Sequence, residues 1–405
     1  MKIERRNRVK RVKGVMLIIL SLIALTGCWD YRELNELAFV LAMGVDKIPD
    51  TGEYRFSFQL VNAQEIAGEA GKKAPVVIYS GKGDTLFEAV REASEKSPRR
   101  INFEHVRDFI IGEELAKEGI EDVFELIERD AEPRMTTRVF IARGIDAETM
   151  LKTRTTVEMI PANSILGKLK ISSHVLGEAY EVQIDDVIRG LLVKGGGPVI
   201  SGIDHLGDPE TGQKRINVDN SDPPAQMHVS GMALFKDAKL VGWVNNEEAK
   251  GLSWINHEMQ STIINLDCGK KKDAIAIELL RTRTKKVGEI RNGQPVVKVT
   301  IEQIGVVGEA LCPIDLSKSE EIRKLERQLE EETSNHVKVM VDKAKELETD
   351  VLGFGEAILR ADPKTWQQME KEWDKIFPTI EVEVNVESAL RRTGQVSKPY
   401  LLEME

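Results

Sequence analysis

Residues 76–142 read VVIYSGKGDTLFEAVREASEKSPRRINFEHVRDFIIGEELAKEGIEDVFELIERDAEPRMTTRVFIA, and their alternation decides the fold class. Val76–Ser80 is apolar and rich in β-branched residues, which predicts a strand. Asp84 stands at a helix cap, ahead of Leu86, Phe87, Val90 and Ala93 at helical spacing. Phe109–Ile111 is a short, wholly apolar run and predicts a buried strand. Residues 113–129 return to helical spacing through Leu115, Ile120, Val123, Phe124 and Ile127. Arg138–Ala142 is again a strand. Strands and helices in turn predict an α+β or mixed α/β chain of several domains, with mixed sheets flanked by helices.

Upstream, Leu37–Val45 is a continuous apolar run, and Pro49-Asp50-Thr51-Gly52 signals a turn. Tyr54, Phe56, Phe58 and Leu60 then alternate with Arg55, Ser57 and Gln59, which predicts a β-hairpin with one buried face. Residues 65–74 (EIAGEAGKKA) predict an exposed, flexible loop. Residues 146–193 are mainly helical, and 146–203 either form a subdomain or pack on what precedes them. Residues 204–225 hold three prolines among many Asp, Asn and Gly. A linker or long surface loop is placed at 204–226, between an N-terminal region (28–203) and a C-terminal α+β domain (227–395); 396–405 are a tail.

The second half opens with a hairpin, Val229–Phe235 and Lys239–Val244 around Lys236-Asp237-Ala238. A helix over 247–259 precedes a β-meander across 262–310 that turns at Asn292-Gly293, where Pro295 suits only an edge or a strand start. From Ser317 or Ser319 a long helix runs to about Asp350, with Ile322, Leu325, Leu329, Val337, Met340, Ala344, Leu347 and Val351 on one face. Asp362-Pro363 caps a second helix, Lys364–Phe377, which buries Trp366, Met369, Trp373 and Ile376. The last strand turns Ile380, Val382, Val384 and Val386 inward.

The N-terminus carries an address. Residues 1–13 hold seven basic residues against Glu4, and 14–27 hold no charge. Fourteen helical residues span ~21 Å, short of the ~30 Å hydrocarbon core, so residues 1–27 predict a signal peptide rather than a membrane span. It ends in Leu25-Thr26-Gly27-Cys28, the lipobox pattern: small residues before a cysteine that takes a covalent diacylglyceryl or acyl lipid of the palmitate kind and becomes residue one. Each buried CH₂ contributes ~0.8 kcal/mol, so two chains hold a protein durably. Removing the seven basic residues and Glu4 takes the net charge from −10 to −16 and leaves 378 of the 405 residues. Such a surface repels phosphate backbones and anionic lipid headgroups, which excludes nucleic-acid binding and leaves membrane attachment to the lipid rather than to a basic patch. No later stretch approaches 18 apolar residues.

Little in the chain supports catalysis. His257-Glu258 begins an HExxH zinc pattern, but Ser261 stands where the second histidine belongs. The six histidines have no ligand spacing, and there is no G-x-S-x-G elbow. Gly195-Gly196-Gly197-Pro198 lacks a following GK[ST] and reads as a tight helix-to-strand connection. Gly353-Phe354-Gly355 is half of a GxGxxG and reads as a helix C-cap with close backbone packing. Cys268 and Cys312 have no CxxC neighbour; two buried free thiols are expected, with a single disulfide as the alternative. The readings are a non-enzyme with no catalytic residue, metal or cofactor.

Four stretches resemble the Ger(x)C family, the lipoprotein C subunit of spore germination nutrient receptors. They are Leu25-Thr26-Gly27-Cys28-Trp29-Asp30 with Arg32-Glu33-Leu34; Ala42-Met43-Gly44-Val45-Asp46; Gly231-Met232-Ala233-Leu234-Phe235-Lys236 with Leu240-Val241-Gly242; and Asp350-Val351-Leu352-Gly353-Phe354-Gly355-Glu356 through Pro363 and Trp366, with the strand around Val382–Val386. Leu352 stands where an aromatic is expected. The resemblance implies a mixed α/β protein lipidated at Cys28, on the outer leaflet of the spore inner membrane. It implies partners in two integral membrane subunits, the A-type and B-type subunits, and no enzymatic activity. Trp29 and Asp30 then guide processing or seat the domain at the membrane. Two alternatives are a solute-binding lipoprotein of a membrane transporter and an extracytoplasmic hydrolase.

Overall fold

The computed structural model describes residues 13–16, 36–62, 74–129 and 132–391. The chain divides into Met1–Ala38 and Phe39–Glu405, and β1 (Leu37–Lys47) runs across that boundary. The loop expected at 65–74 lies almost wholly outside the described residues.

A nine-stranded sheet holds β1, β2 (Tyr54–Val61), β3 (Val76–Gly83), β4 (Arg100–Asn102), β5 (Asp108–Gly112), β6 (Arg138–Ala142), β7 (Val199–Gly207), β8 (Ala225–Lys236) and β9 (Lys239–Val244). Its order is β3-β2-β1-β5-β6-β7-β8-β9, with β4 also paired to β1. The central strands β1, β5, β6 and β7 are parallel, and antiparallel hairpins finish both edges. Parallel strands need crossovers, and these supply α1 (Leu86–Glu95), α2 (Glu113–Glu118), α3 (Glu121–Arg129), α4 (Ala147–Lys152), α5 (Pro161–Ile171) and α6 (Ile184–Leu191). Covered on both faces, β5 is buried along its whole length.

Several expectations change in detail. The hairpin β1–β2 is present, but β2 is buried on both faces rather than one. Its polar face lies under α4, where Gln59 Nε2 donates to the Leu151 carbonyl at 3.0 Å and Ser57 bonds Ser80. Thr85, not Asp84, caps α1: its hydroxyl accepts from Glu88 N. Phe87 is exposed. The helix expected over 113–129 is two helices, because the chain bends at Gly119 so that Ile120 N–H reaches the Ala238 carbonyl in the β8–β9 turn. Within 146–193, Ala162, Ile165 and Leu169 share one core with Ala42, Ile110 and Phe140.

The 204–226 stretch is not a plain loop. It holds the end of β7, two short helices, α7 (Pro209–Gly212) and α8 (Ile216–Asp219), and the start of β8, which pairs with β7. Buried Asn217 organises it, donating to the Arg154 carbonyl and accepting from Ala225 N–H, both at 2.9 Å. So β8 and β9 extend the first sheet across that stretch.

The second sheet is β10 (Ile263–Cys268), β11 (Lys271–Arg291), β12 (Gln294–Ala310) and β13 (Glu381–Arg391), in that order, with β12 and β13 parallel. Pro295 sits at the start of β12, one residue before pairing to β13 begins. One face packs on α9 (Asn246–Ile255) and the long α10 (Ser319–Glu346), whose Leu325, Leu329, Val337, Met340 and Ala344 enter the core. Gln303 crosses that interface, donating to Thr333 and Ser388 at 2.9 Å each. Cys268 and Cys312 form a disulfide, not two free thiols: the end of β10 and the segment just past β12 bring their Cα atoms to 6.5 Å.

Three helices follow α10, where one was expected. α11 (Phe354–Ala361) was not foreseen, and the 364–377 helix is α12 (Pro363–Met369) and α13 (Trp373–Ile376) joined by a single 3₁₀ turn. Gly353, expected as a C-cap, is the N-cap of α11 at φ +67°, a conformation that glycine adopts without penalty.

Candidate functional site

Leu25, Thr26, Gly27, Cys28, Trp29 and Asp30 lie outside the described residues. The other three stretches that carry the resemblance fall on β1, on the β8–β9 hairpin and on the turn from α10 into α11.

The last of these is a buried knot. Asp350 is 2% exposed. Its carboxylate accepts from Phe354 N at 2.9 Å, Gly355 N at 2.6 Å and Trp373 Nε1 at 2.9 Å, filling two open N–H groups at the start of α11. Burial pushes its pKa up, against these three donors and the Lys286 ammonium. Lys286 reaches in from β11 and donates to the Leu352 carbonyl and to Asn256 Oδ1; burial lowers its pKa. A side chain at Gly355 would strike the Trp366 ring at 2.6 Å, which explains the second glycine. The Gly195-Gly196-Gly197 run closes the knot: Gly195 O accepts from Asp350 N at 2.8 Å, and Gly196 O accepts from Asp237 N. Thr349 adds a bond to the Phe235 carbonyl at 2.7 Å.

A second polar cluster sits at the carboxyl ends of parallel β1, β5 and β6. Asp46 Oδ1 accepts from Ala147 N at 2.7 Å and Oδ2 from Glu148 N at 3.1 Å, which ties α4 to β1. Arg55 joins Asp46, Asp146 and Glu148 at 3.2–3.4 Å. Burial pushes Asp46 up to about 6. An open crevice of about 580 Å³ lies beside them, lined also by Glu113 and Thr149. Its polar groups bond mainly to one another.

The motifs read as structural do structural work. His257 accepts from Thr284 N through Nδ1 at 3.0 Å, and Glu258 N bonds the Ser253 carbonyl. Among the described residues, no group of three or more His, Cys, Asp or Glu is placed to hold a metal ion, and no helix is long and apolar enough to cross a membrane.

Residues 30–205 match the family model "Spore germination protein N-terminal domain", and 230–394 match "Spore germination B3/ GerAC like, C-terminal". The chain is 34% identical over 399 residues to spore germination protein KC of Bacillus subtilis, covering 96% of this chain and 98% of that one. It belongs to the Ger(x)C family. Spore germination protein B3 of the same organism is 25% identical over 396 residues, covering 96% of this chain and 100% of the relative. The crystal structure of the GerBC protein has the same fold, with a TM-score of 0.54 at 21% identity over 86% of this chain and 96% of that one.

In this Ger(x)C chain the Asp350 knot joins the two matched regions, since Gly195 belongs to the first and Asp350 and Trp373 to the second. Sequence reasoning quoted Asp350 and Trp373 without seeing that they meet. An aspartate three residues before a glycine is the local signal that the sequence offers.

Proposed function

We propose that this chain is the non-catalytic, lipid-anchored C subunit of a spore germinant receptor, needed for nutrient-triggered germination through assembly with integral membrane A-type and B-type subunits. The likeness to spore germination protein KC along 96% of the chain carries the reading. On it, Leu25, Thr26 and Gly27 present Cys28 for lipidation after the leader is removed, and Trp29 and Asp30 sit next to the membrane. The acyl chains then hold the protein on the outer leaflet of the spore inner membrane. The Cys268–Cys312 disulfide supports a site outside the reducing cytoplasm.

Cys28→Ala tests the reading. The protein should leave the membrane fraction, and spores carrying it should lose their nutrient response. Retention in the membrane fraction, or a bare sulfur in the mass spectrum of the native protein, would defeat it. The crevice beside Asp46 favours a second reading, a solute-binding lipoprotein of a transporter, because open α/β sheets bind ligands at the carboxyl ends of their parallel strands. Thermal shifts across a nutrient panel separate the two: a shift lost in Arg55→Ala would favour solute binding.

A further inference from the structure

The loop between α4 and α5 exposes apolar side chains that the fold leaves uncovered. Val157 is 92% exposed and Met159 51%, and Ile171 at the end of α5 is 59% exposed. Val157 and Ile171 line one open groove with Arg154 and Lys168.

This loop is tied down at its base. Arg154 N–H donates to the Gly212 carbonyl at 2.9 Å, and Arg154 Nε to the Gln213 carbonyl at 3.1 Å. Asn217 holds the Arg154 carbonyl, and Thr155 Oγ1 donates to the Glu158 carbonyl. An apolar tip on an anchored loop is held out toward something, because isolated exposure by fraying would not come with such bonds.

Charge says what kind of surface it meets. Arg154 and Lys168 line the groove beside Val157, and neither makes an ion pair with another described residue. Glu158 is the one acid in the loop itself. The mature chain as a whole carries −16, so two cations against the single acid Glu158 beside an apolar tip are a local reversal of sign. Apolar residues flanked by an Arg and a Lys fit the headgroup and acyl boundary of an anionic bilayer: the cations meet phosphates and the tip enters the boundary. A protruding tip suits a deformable lipid surface better than the rigid pocket of a protein.

We propose that the Arg154–Pro161 loop is a second membrane contact, inserting Val157 and Met159 into an anionic phospholipid surface held by Arg154 and Lys168. It rests on the membrane-side placement argued under Proposed function, and would orient a body that acyl chains alone leave free to tilt.

The test uses the mature chain, residues 28–405, with Cys28→Ala and a C-terminal hexahistidine tag, held on vesicles by a nickel-chelating lipid. The readout therefore does not depend on acylation, whose failure the fractionation experiment reports separately. With Cys268 and Cys312 paired, Val157→Cys gives one free thiol for an environment-sensitive dye, and Val339→Cys on α10 gives the control. On phosphatidylcholine vesicles containing phosphatidylglycerol, the dye at 157 should shift to the blue and be quenched by spin-labelled lipid, while the dye at 339 stays aqueous. Reversing Lys168 to Glu, which leaves the Arg154 anchor intact, should reduce that quenching, and high salt should remove most of it. A dye at 157 as aqueous as that at 339 would overturn the proposal. So would quenching that is equal on pure phosphatidylcholine, or shielding that appears only when integral membrane subunits are added.

Discussion

Trp373 donates its indole N–H to Asp350 across 2.9 Å, and both side chains are buried. That bond fastens α13 to the start of α11, while the Asp350 backbone is fastened to Gly195 in the other matched region. The carboxylate thus serves four partners at once, counting Lys286, and its removal leaves donors buried without an acceptor.

Asp350→Ala should therefore destabilise the protein by about 3–5 kcal/mol, far more than a surface change. Trp373→Phe keeps most of the volume and loses one donor, so about 1–3 kcal/mol is expected. Urea unfolding of both singles and the double should show a coupling that is clearly non-additive. Additive losses would mean that the two residues act apart.

Stability should fall as pH rises from about 4 to 7. Asp108 is fully buried, both its oxygens lack a hydrogen-bond partner, and Arg138 Nη1 stays 3.8 Å away. Burial pushes its pKa to about 7, against the pull of Arg138 and Arg107. A carboxyl raised on folding contributes stability that is complete below its unfolded pKa near 4 and lost as pH passes its folded value. Linkage sets the change at about 4 kcal/mol for Asp108, with Asp46 adding to it up to pH 6. Asp108→Asn should flatten the curve of denaturant midpoint against pH in this window; an unchanged slope would place the titration elsewhere.

Reduction of the disulfide should cost up to about 4 kcal/mol, because it closes a 44-residue loop in the unfolded chain. Cys268→Ala with Cys312→Ala, compared with the oxidised parent by thermal melting, gives the same quantity. No difference in midpoint would show that the bridge is absent in solution.

The edge of the second sheet is closed by helix α10. Glu330 Oε1 accepts from Ser388 N and Glu326 Oε1 from Leu390 N, each at 2.9 Å, where an added strand would otherwise pair. Glu326→Lys with Glu330→Lys should lower stability by about 1–3 kcal/mol and promote self-association on gel filtration. A stable monomer would show that the edge is protected by something else.

Much of this fold is legible in local pattern. β1, β2, β5, β6, β8, β9 and the apolar face of α10 stand where apolar spacing puts them, because side-chain periodicity is a property of a few neighbouring residues. The knot was not legible in the same way. Asp350, Gly353, Gly355 and Trp373 were all noticed, yet the pair Asp350–Trp373 spans 23 residues and Gly195 is far upstream. The 204–226 stretch misled for a related reason: its prolines and polar residues look like a linker, and only the buried bonds of Asn217 show it to be a packed connection.

By itself the sequence determined the alternation of strands and helices, which faces are apolar, and the basic-then-apolar order of the residues before Cys28. Each is written in residues that lie within a few positions of one another. Only the tertiary structure decided that β8 and β9 join the first sheet, that Cys268 meets Cys312, and that Asp350 ties one matched region to the other. Those outcomes depend on which distant surfaces bury each other, and a strand's pattern shows which face it hides, not whom it hides against.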